Sequence, residues 1–66
     1  MKNRVKEYRK QYKLTQEELA NKLGVTRQTI IAVENDKYNP TLELAMHLAK
    51  YLNTTIEELF TLTNKE

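Results

Sequence analysis

The only glycine in this chain, Gly24, falls between two short segments of helical periodicity, and it constrains the fold more tightly than any other residue. From Thr15 to Asn35 the sequence reads TQEELANKLGVTRQTIIAVEN, two short helices joined by a tight turn. Thr15 is an N-cap residue for the first helix, with Glu17 and Glu18 in its opening turn, where carboxylates favour the positive end of the dipole. Glu18 lies three residues after the cap and completes a capping box. Leu19, Ala20 and Leu23 share one stripe while Gln16, Glu17, Asn21 and Lys22 face away, so one face is core and the other is wet. Gly24 has no Cβ and enters the left-handed conformation without strain, which lets a helix stop and turn within one residue. Val25 fills the angle that follows, and Thr26 caps the second helix, whose core stripe is Ile30 and Val33 with Glu34 beside it.

The other face of that second helix carries Arg27, Gln28, Ile31 and Ala32, a compact patch over its N-terminal half. These side-chain types suit a DNA groove. Arg pairs with guanine N7 and O6, Gln with adenine N6 and N7, and apolar groups touch thymine methyls. A solvated face that happens to hold Arg and Gln fits the same spacing. Ile31 weighs against it, because an isoleucine there does nothing for solubility and calls for contact with DNA, with another subunit or with core.

The flanking segments read as further helices. One spans roughly Asn3 to Lys13, with Val5, Tyr8 and Tyr12 on a stripe among five basic residues. After the central pair comes ENDKYNP, Glu34 to Pro40, a loop rich in turn formers. Thr41 caps a helix from Leu42 to Leu52, in which Leu42, Ala45, Leu48, Ala49 and Leu52 form an inward stripe widened by Leu44 and Met46. Tyr51 is placed half-buried or at an interface, and His47 has no Cys, Asp or second His at metal-ligand spacing. Asn53 ends that helix, and Thr55 caps a short fifth one with Glu57 and Glu58 in its first turn. Alternation of apolar and polar residues from Phe60 to Thr63 suits a short strand, with a frayed terminus as the alternative.

With 66 residues the chain forms one small domain, which buries only about 60% of its unfolded surface and gains from dimerisation. It has no cysteine, which excludes a disulfide framework and thiolate zinc sites. The N-terminus lacks the apolar region of a signal peptide and no apolar run is long enough to span a bilayer, so the cytoplasm is the expected location and no membrane partner is expected. The net charge is only +2, but it is unevenly spread. Residues 1–37 hold nine Lys or Arg against five acids, giving +4, and residues 38–66 hold two against four, giving −2. A basic half that meets phosphate and an acidic half that faces elsewhere accounts for this split. Neither a Ser-His-Asp set, a Gly-rich phosphate loop nor a metal cluster is present, so no enzyme, cofactor or small-molecule ligand is expected.

Arg9, LTQEELANKLGV from Leu14 to Val25, RQTI from Arg27 to Ile30, VEN from Val33 to Asn35 and KYNPTLELA from Lys37 to Ala45 together resemble the Cro and phage-repressor type of helix-turn-helix regulator, also called the xenobiotic-response-element family. The chain is most similar to stand-alone members of this length, such as the dimeric cytolysin-repressor kind. The resemblance implies an all-α fold of five helices with short terminal β-strands, Met1 to Arg4 pairing with Phe60 to Thr63, and a homodimer. It implies a structural ion pair between Arg9 and Glu34, phosphate contacts from Gln16 and Thr26, and a phosphate-facing loop, for which Asn35, Lys37 and Asn39 are the candidates. Arg27 and Gln28 become the direct base readers, with Ile31 and Ala32 as apolar or shape contacts. Two departures matter. Asp36 stands where the family usually has Gly, and many relatives carry a polar residue at the place of Ile31 or Ala32.

The function expected is sequence-specific binding of double-stranded DNA by a homodimeric transcriptional regulator, a repressor, on an inverted-repeat operator with half-sites roughly 34 Å apart. The alternative is an antitoxin or protein-interaction module on the same fold, since fold alone does not fix function.

Overall fold

Four threonines set where four of the five helices begin. The computed structural model describes residues 1–62 and orders them as β1 (Lys2–Asn3), α1 (Val5–Gln11), α2 (Gln16–Leu23), α3 (Arg27–Glu34), α4 (Leu42–Tyr51), α5 (Ile56–Leu59) and β2 (Phe60–Thr61). Thr15, Thr26, Thr41 and Thr55 each accept the backbone N–H three residues on, at 3.0, 3.3, 3.1 and 3.1 Å. Each bond satisfies one of the orphan donors of a helix start, and loss of such a cap costs about 1 kcal/mol. At α2 the box is complete, because Glu18 Oε1 accepts the Thr15 N–H at 2.8 Å. That bond, with the Thr15 side chain, holds the Glu18 carboxyl below the usual carboxylate range.

Four helices also end alike. Lys13, Gly24, Asp36 and Asn53 stand in the left-handed region at φ 57, 71, 58 and 57°. The residue after each donates its N–H back five positions, Leu14 to Arg9, Val25 to Ala20, Lys37 to Ala32 and Thr54 to Ala49, which is the Schellman closure. Only one of the four is glycine. Asn and Asp enter this region more readily than other residues with a Cβ, whereas Lys13 has no such help.

The first helix is shorter at both ends than its Asn3 to Lys13 expectation. Asn3 is drawn into the terminal pair, and Lys13 turns the chain before a further helical bond forms. Tyr12 therefore lies beyond the helix and is 49% exposed rather than in the stripe with Val5 and Tyr8. At the ends of the chain, β1 and β2 pair antiparallel with Lys2 opposite Thr61 and Asn3 opposite Phe60, and the Arg4 N–H adds a bond to the Leu59 carbonyl at 2.8 Å. Met1, Arg4 and Leu62 are outside the two-residue strands, and Thr63, expected to be extended, lies outside the described residues.

One hydrophobic core joins these elements. Leu19, Ile30, Leu48, Leu52 and Leu59 are fully buried in it with Val5 and Val33. In α4 the inward face is Leu44, Ala45, Leu48 and Ala49. Leu42 is 72% exposed and Met46 55%, so the inward placement of Leu42 does not hold. The helix has two apolar stripes. Leu42 and Met46, four apart, share the outer one, and Leu44 takes the inner place that the periodicity alone assigns to either. None of the described helices is long and apolar enough to cross a membrane.

Candidate nucleic-acid interface

Helix α3 is fixed at its C-terminal end by a buried polar cluster. Arg9 Nε donates to Glu34 Oε2 at 2.6 Å and Arg9 Nη2 to Oε1 at 3.3 Å, while Nη1 donates to the Leu14 carbonyl at 2.7 Å. Gln16 Nε2 donates to the same Oε1 at 3.0 Å. One carboxylate thus ties α1, the start of α2 and the end of α3 together. The side chains of Arg9 and Glu34 are 9% and 2% exposed, so neither charge is left to water. The attraction is largely offset by desolvation, but removal of one partner strands the other and costs about 3–5 kcal/mol. Among the described residues no buried side-chain nitrogen or oxygen lacks a partner.

The opposite end of α3 is open. Arg27 and Gln28 are exposed in its first turn, while Ile31 and Ala32 are half-buried at its middle. The Thr26 hydroxyl accepts the Thr29 N–H and lies 3.1 Å from Thr29 Oγ1, so it is engaged as a cap and still exposed. Arg27 meets the start of α2 across a shallow hollow of about 380 Å³ lined also by Arg9, Thr15, Gln16 and Glu17. The fold therefore brings Gln16 and Arg27 to one site, with the Gln16 amide half-buried and already given to Glu34. Asn35, Lys37 and Asn39 are exposed on the loop after α3. The length of α3 separates them from Arg27 and Gln28.

Periodicity did not single out two participants. The amide of Gln16 is a structural donor as well as a surface group, a role that depends on where Glu34 arrives. Asn3, read as the start of a helix and as part of the extended segment Met1 to Arg4, donates through Nδ2 to the Val33 carbonyl at 2.7 Å and to Asp36 Oδ1 at 2.8 Å. An Asn just before a helix is a local signal for capping its start, and nothing local points to a partner thirty residues away. His47 is exposed, 3.9 Å from Glu43, and no group of three or more possible ligands among the described residues is placed to hold a metal.

Comparison with known proteins gives this geometry its context. A helix-turn-helix family model matches residues 5–59. The chain is 57% identical over 60 residues to an uncharacterized HTH-type transcriptional regulator of Methanocaldococcus jannaschii, covering 91% of each chain. It is 48% identical over 66 residues to another such regulator of Archaeoglobus fulgidus, covering 100% of this chain and 94% of that one. It is also 37% identical over 57 residues to the cryptic phage CTXphi transcriptional repressor of Vibrio cholerae, covering 86% of this chain and 51% of the repressor. With α2 and α3 matched inside the family model and relatives alike along nearly their whole length, the chain belongs to the Cro/repressor-type helix-turn-helix family, a family of DNA-binding transcriptional regulators and not of enzymes.

Proposed function

We propose that this chain acts as a homodimeric repressor, each subunit placing α3 in the major groove of one half of an inverted-repeat operator. The observation that carries the reading is the asymmetry of α3: its far end is locked by the buried Arg9–Glu34 pair, and its first turn presents Arg27 and Gln28 to solvent. A reader must be held still to discriminate bases. In this reading Arg27 and Gln28 pair with base edges, and Ile31 and Ala32 make apolar contacts. Gln16, Thr26, Asn35, Lys37 and Asn39 meet the phosphates.

Support for a second copy comes from α4, α5 and the chain ends. Leu42 and Met46 border an open hollow of about 680 Å³ floored by Ala49 and Ile56, and Ile56 also lines a second hollow with Met1, Phe60 and Leu62. Leu62 is 70% exposed, so this band leaves several large apolar side chains in water, a common mark of an interaction surface. Support for repression is the name of the Vibrio cholerae relative.

The test is a fluorescence-anisotropy titration against duplex DNA from upstream of the chain's own gene and against a scrambled duplex, at several salt concentrations, with sedimentation equilibrium to count subunits. Preference for the upstream duplex by at least ~1,000-fold, with two subunits per site, is expected. Equal affinity for both, or one subunit per site, overturns it.

A further inference from the structure

Asn3 joins three parts of the molecule. Its backbone lies opposite Phe60 in the β1–β2 pair, and its side-chain Oδ1 accepts the Val5 N–H at 3.0 Å, capping the start of α1, whose N-cap residue Arg4 provides no side-chain bond. Its Nδ2 makes the two bonds to the turn that ends α3, one to the Val33 carbonyl and one to the Asp36 carboxylate. Val33 O also accepts the Asp36 N–H at 3.1 Å, so the Asn3 amide grips this turn at both its backbone and its side chain.

Asp36 is the left-handed residue of that turn, at φ 58°. A Cβ disfavours this conformation, and an amide bond to the carboxylate is charge-assisted and favours it. Of the three non-glycine residues that close helices in this way, Asp36 is the one whose side chain is held from a distant element by a described bond. Its neighbours Asn35 and Lys37 are exposed on either side, and the Lys37 N–H closes the turn onto Ala32 at 2.9 Å.

We propose that Asn3 is a positioning residue for DNA binding: it holds Asp36 in the left-handed turn and thereby sets the direction in which Asn35 and Lys37 leave α3, coupling the terminal sheet to the phosphate-facing loop. The inference rests on the proposed function, in which that loop meets the DNA backbone. An aspartate at position 3 would keep the acceptor for Val5 but lose both donor bonds and set a second carboxylate against Asp36. An alanine would lose all three bonds.

The experiment compares wild type, Asn3→Ala, Asn3→Asp, Asp36→Gly and the Asn3→Ala/Asp36→Gly double variant in two readouts. The first is amide hydrogen exchange in the DNA-free protein at Asp36 and Lys37, with Gly24, Val25, Asn53 and Thr54 as internal controls because they make the same pair of closing bonds at the ends of α2 and α4. The second is affinity for the upstream and the scrambled duplex. Asn3→Ala is expected to speed exchange at Asp36 and Lys37 about tenfold more than at the four control amides, and to weaken both duplexes about fivefold, the size of one lost hydrogen bond. Asn3→Asp should weaken them at least as much. Once Asp36 is glycine, which needs no support at positive φ, the same Asn3→Ala change should cost less than about twofold in affinity. Equal acceleration at all six amides, or the same loss of affinity with and without Asp36→Gly, overturns the inference. A wild type that does not distinguish the duplexes counts against the proposed function, while the exchange comparison still decides whether Asn3 holds the turn.

Discussion

Two regions of this molecule solve opposite problems. Around α2 and α3, polar side chains are held in place: Glu34 accepts from Arg9 and Gln16, and Arg27 and Gln28 stand exposed on the helix so fixed. Around α4 and α5, large apolar side chains are left open, with Leu42 at 72% and Met46 at 55% exposure. Charge does not follow the same division: residues 1–14 carry +5, residues 15–37 carry −1 and the remainder −2, so the basic excess belongs to the N-terminal segment and α1. A surface that must read a rigid, charged partner needs directional groups on a fixed frame. A surface that gains from burial needs only exposed apolar area, and the frame beneath it is shared.

Breaking the frame should have the largest effect. Glu34→Ala leaves Arg9 buried without its carboxylate, and urea denaturation should show a loss of about 3–5 kcal/mol. A loss below about 1 kcal/mol would mean that the pair is surface-like. One step smaller, if Gln28, which is exposed, reads a base as proposed, Gln28→Ala should weaken the upstream duplex by about 1–3 kcal/mol while changing the scrambled duplex little. Equal weakening on both would place Gln28 on phosphate.

The apolar region is tested by Leu42→Ser combined with Met46→Ser. Sedimentation equilibrium should show the dimer weakened at least ~tenfold, near 1.4 kcal/mol, with little change in thermal stability, since both side chains are already in water. An unchanged dimer removes this surface from the interface. Lys37→Ala is subtler: affinity for both duplexes should fall together and the salt slope should flatten by about one unit. A slope that stays the same removes Lys37 from the phosphate contacts.

The smallest effect concerns acid. Glu18 is held below its ordinary carboxylate range chiefly by the backbone bond from Thr15, so its folded pKa lies below its unfolded one. Its contribution is therefore fully present above the unfolded value and is lost as pH falls through the folded one. The stability difference between wild type and Glu18→Gln should be constant near neutral pH and shrink in acid. A difference that does not vary with pH would show that the ionised form adds nothing to the cap.

Much of this was legible without coordinates because it is local. A threonine cap and the amide it accepts are three residues apart, and a Schellman turn closes within six, so Thr15, Thr26, Thr41, Thr55 and Gly24 mark their boundaries from short stretches of chain. The exposure of Arg27 and Gln28 on α3 was legible for the same reason, as a pattern of side-chain types on one helix. Lys13 was not, since nothing about lysine announces a left-handed residue and the turn there is imposed by the closure onto Arg9.

What the sequence by itself determined is the set of helices, their caps and the residue types on each face. Only the tertiary structure decided which apolar stripe of α4 faces inward, that Gln16 gives its amide to Glu34, and that Asn3 reaches the end of α3. Helical periodicity fixes angles between side chains on one helix but not the rotation of that helix against its neighbours. Leu42 and Leu44 are equally apolar, and only the packing of the other elements leaves Leu44 buried and Leu42 in water. Bonds between residues 18 to 33 positions apart form only once the elements that carry them have docked.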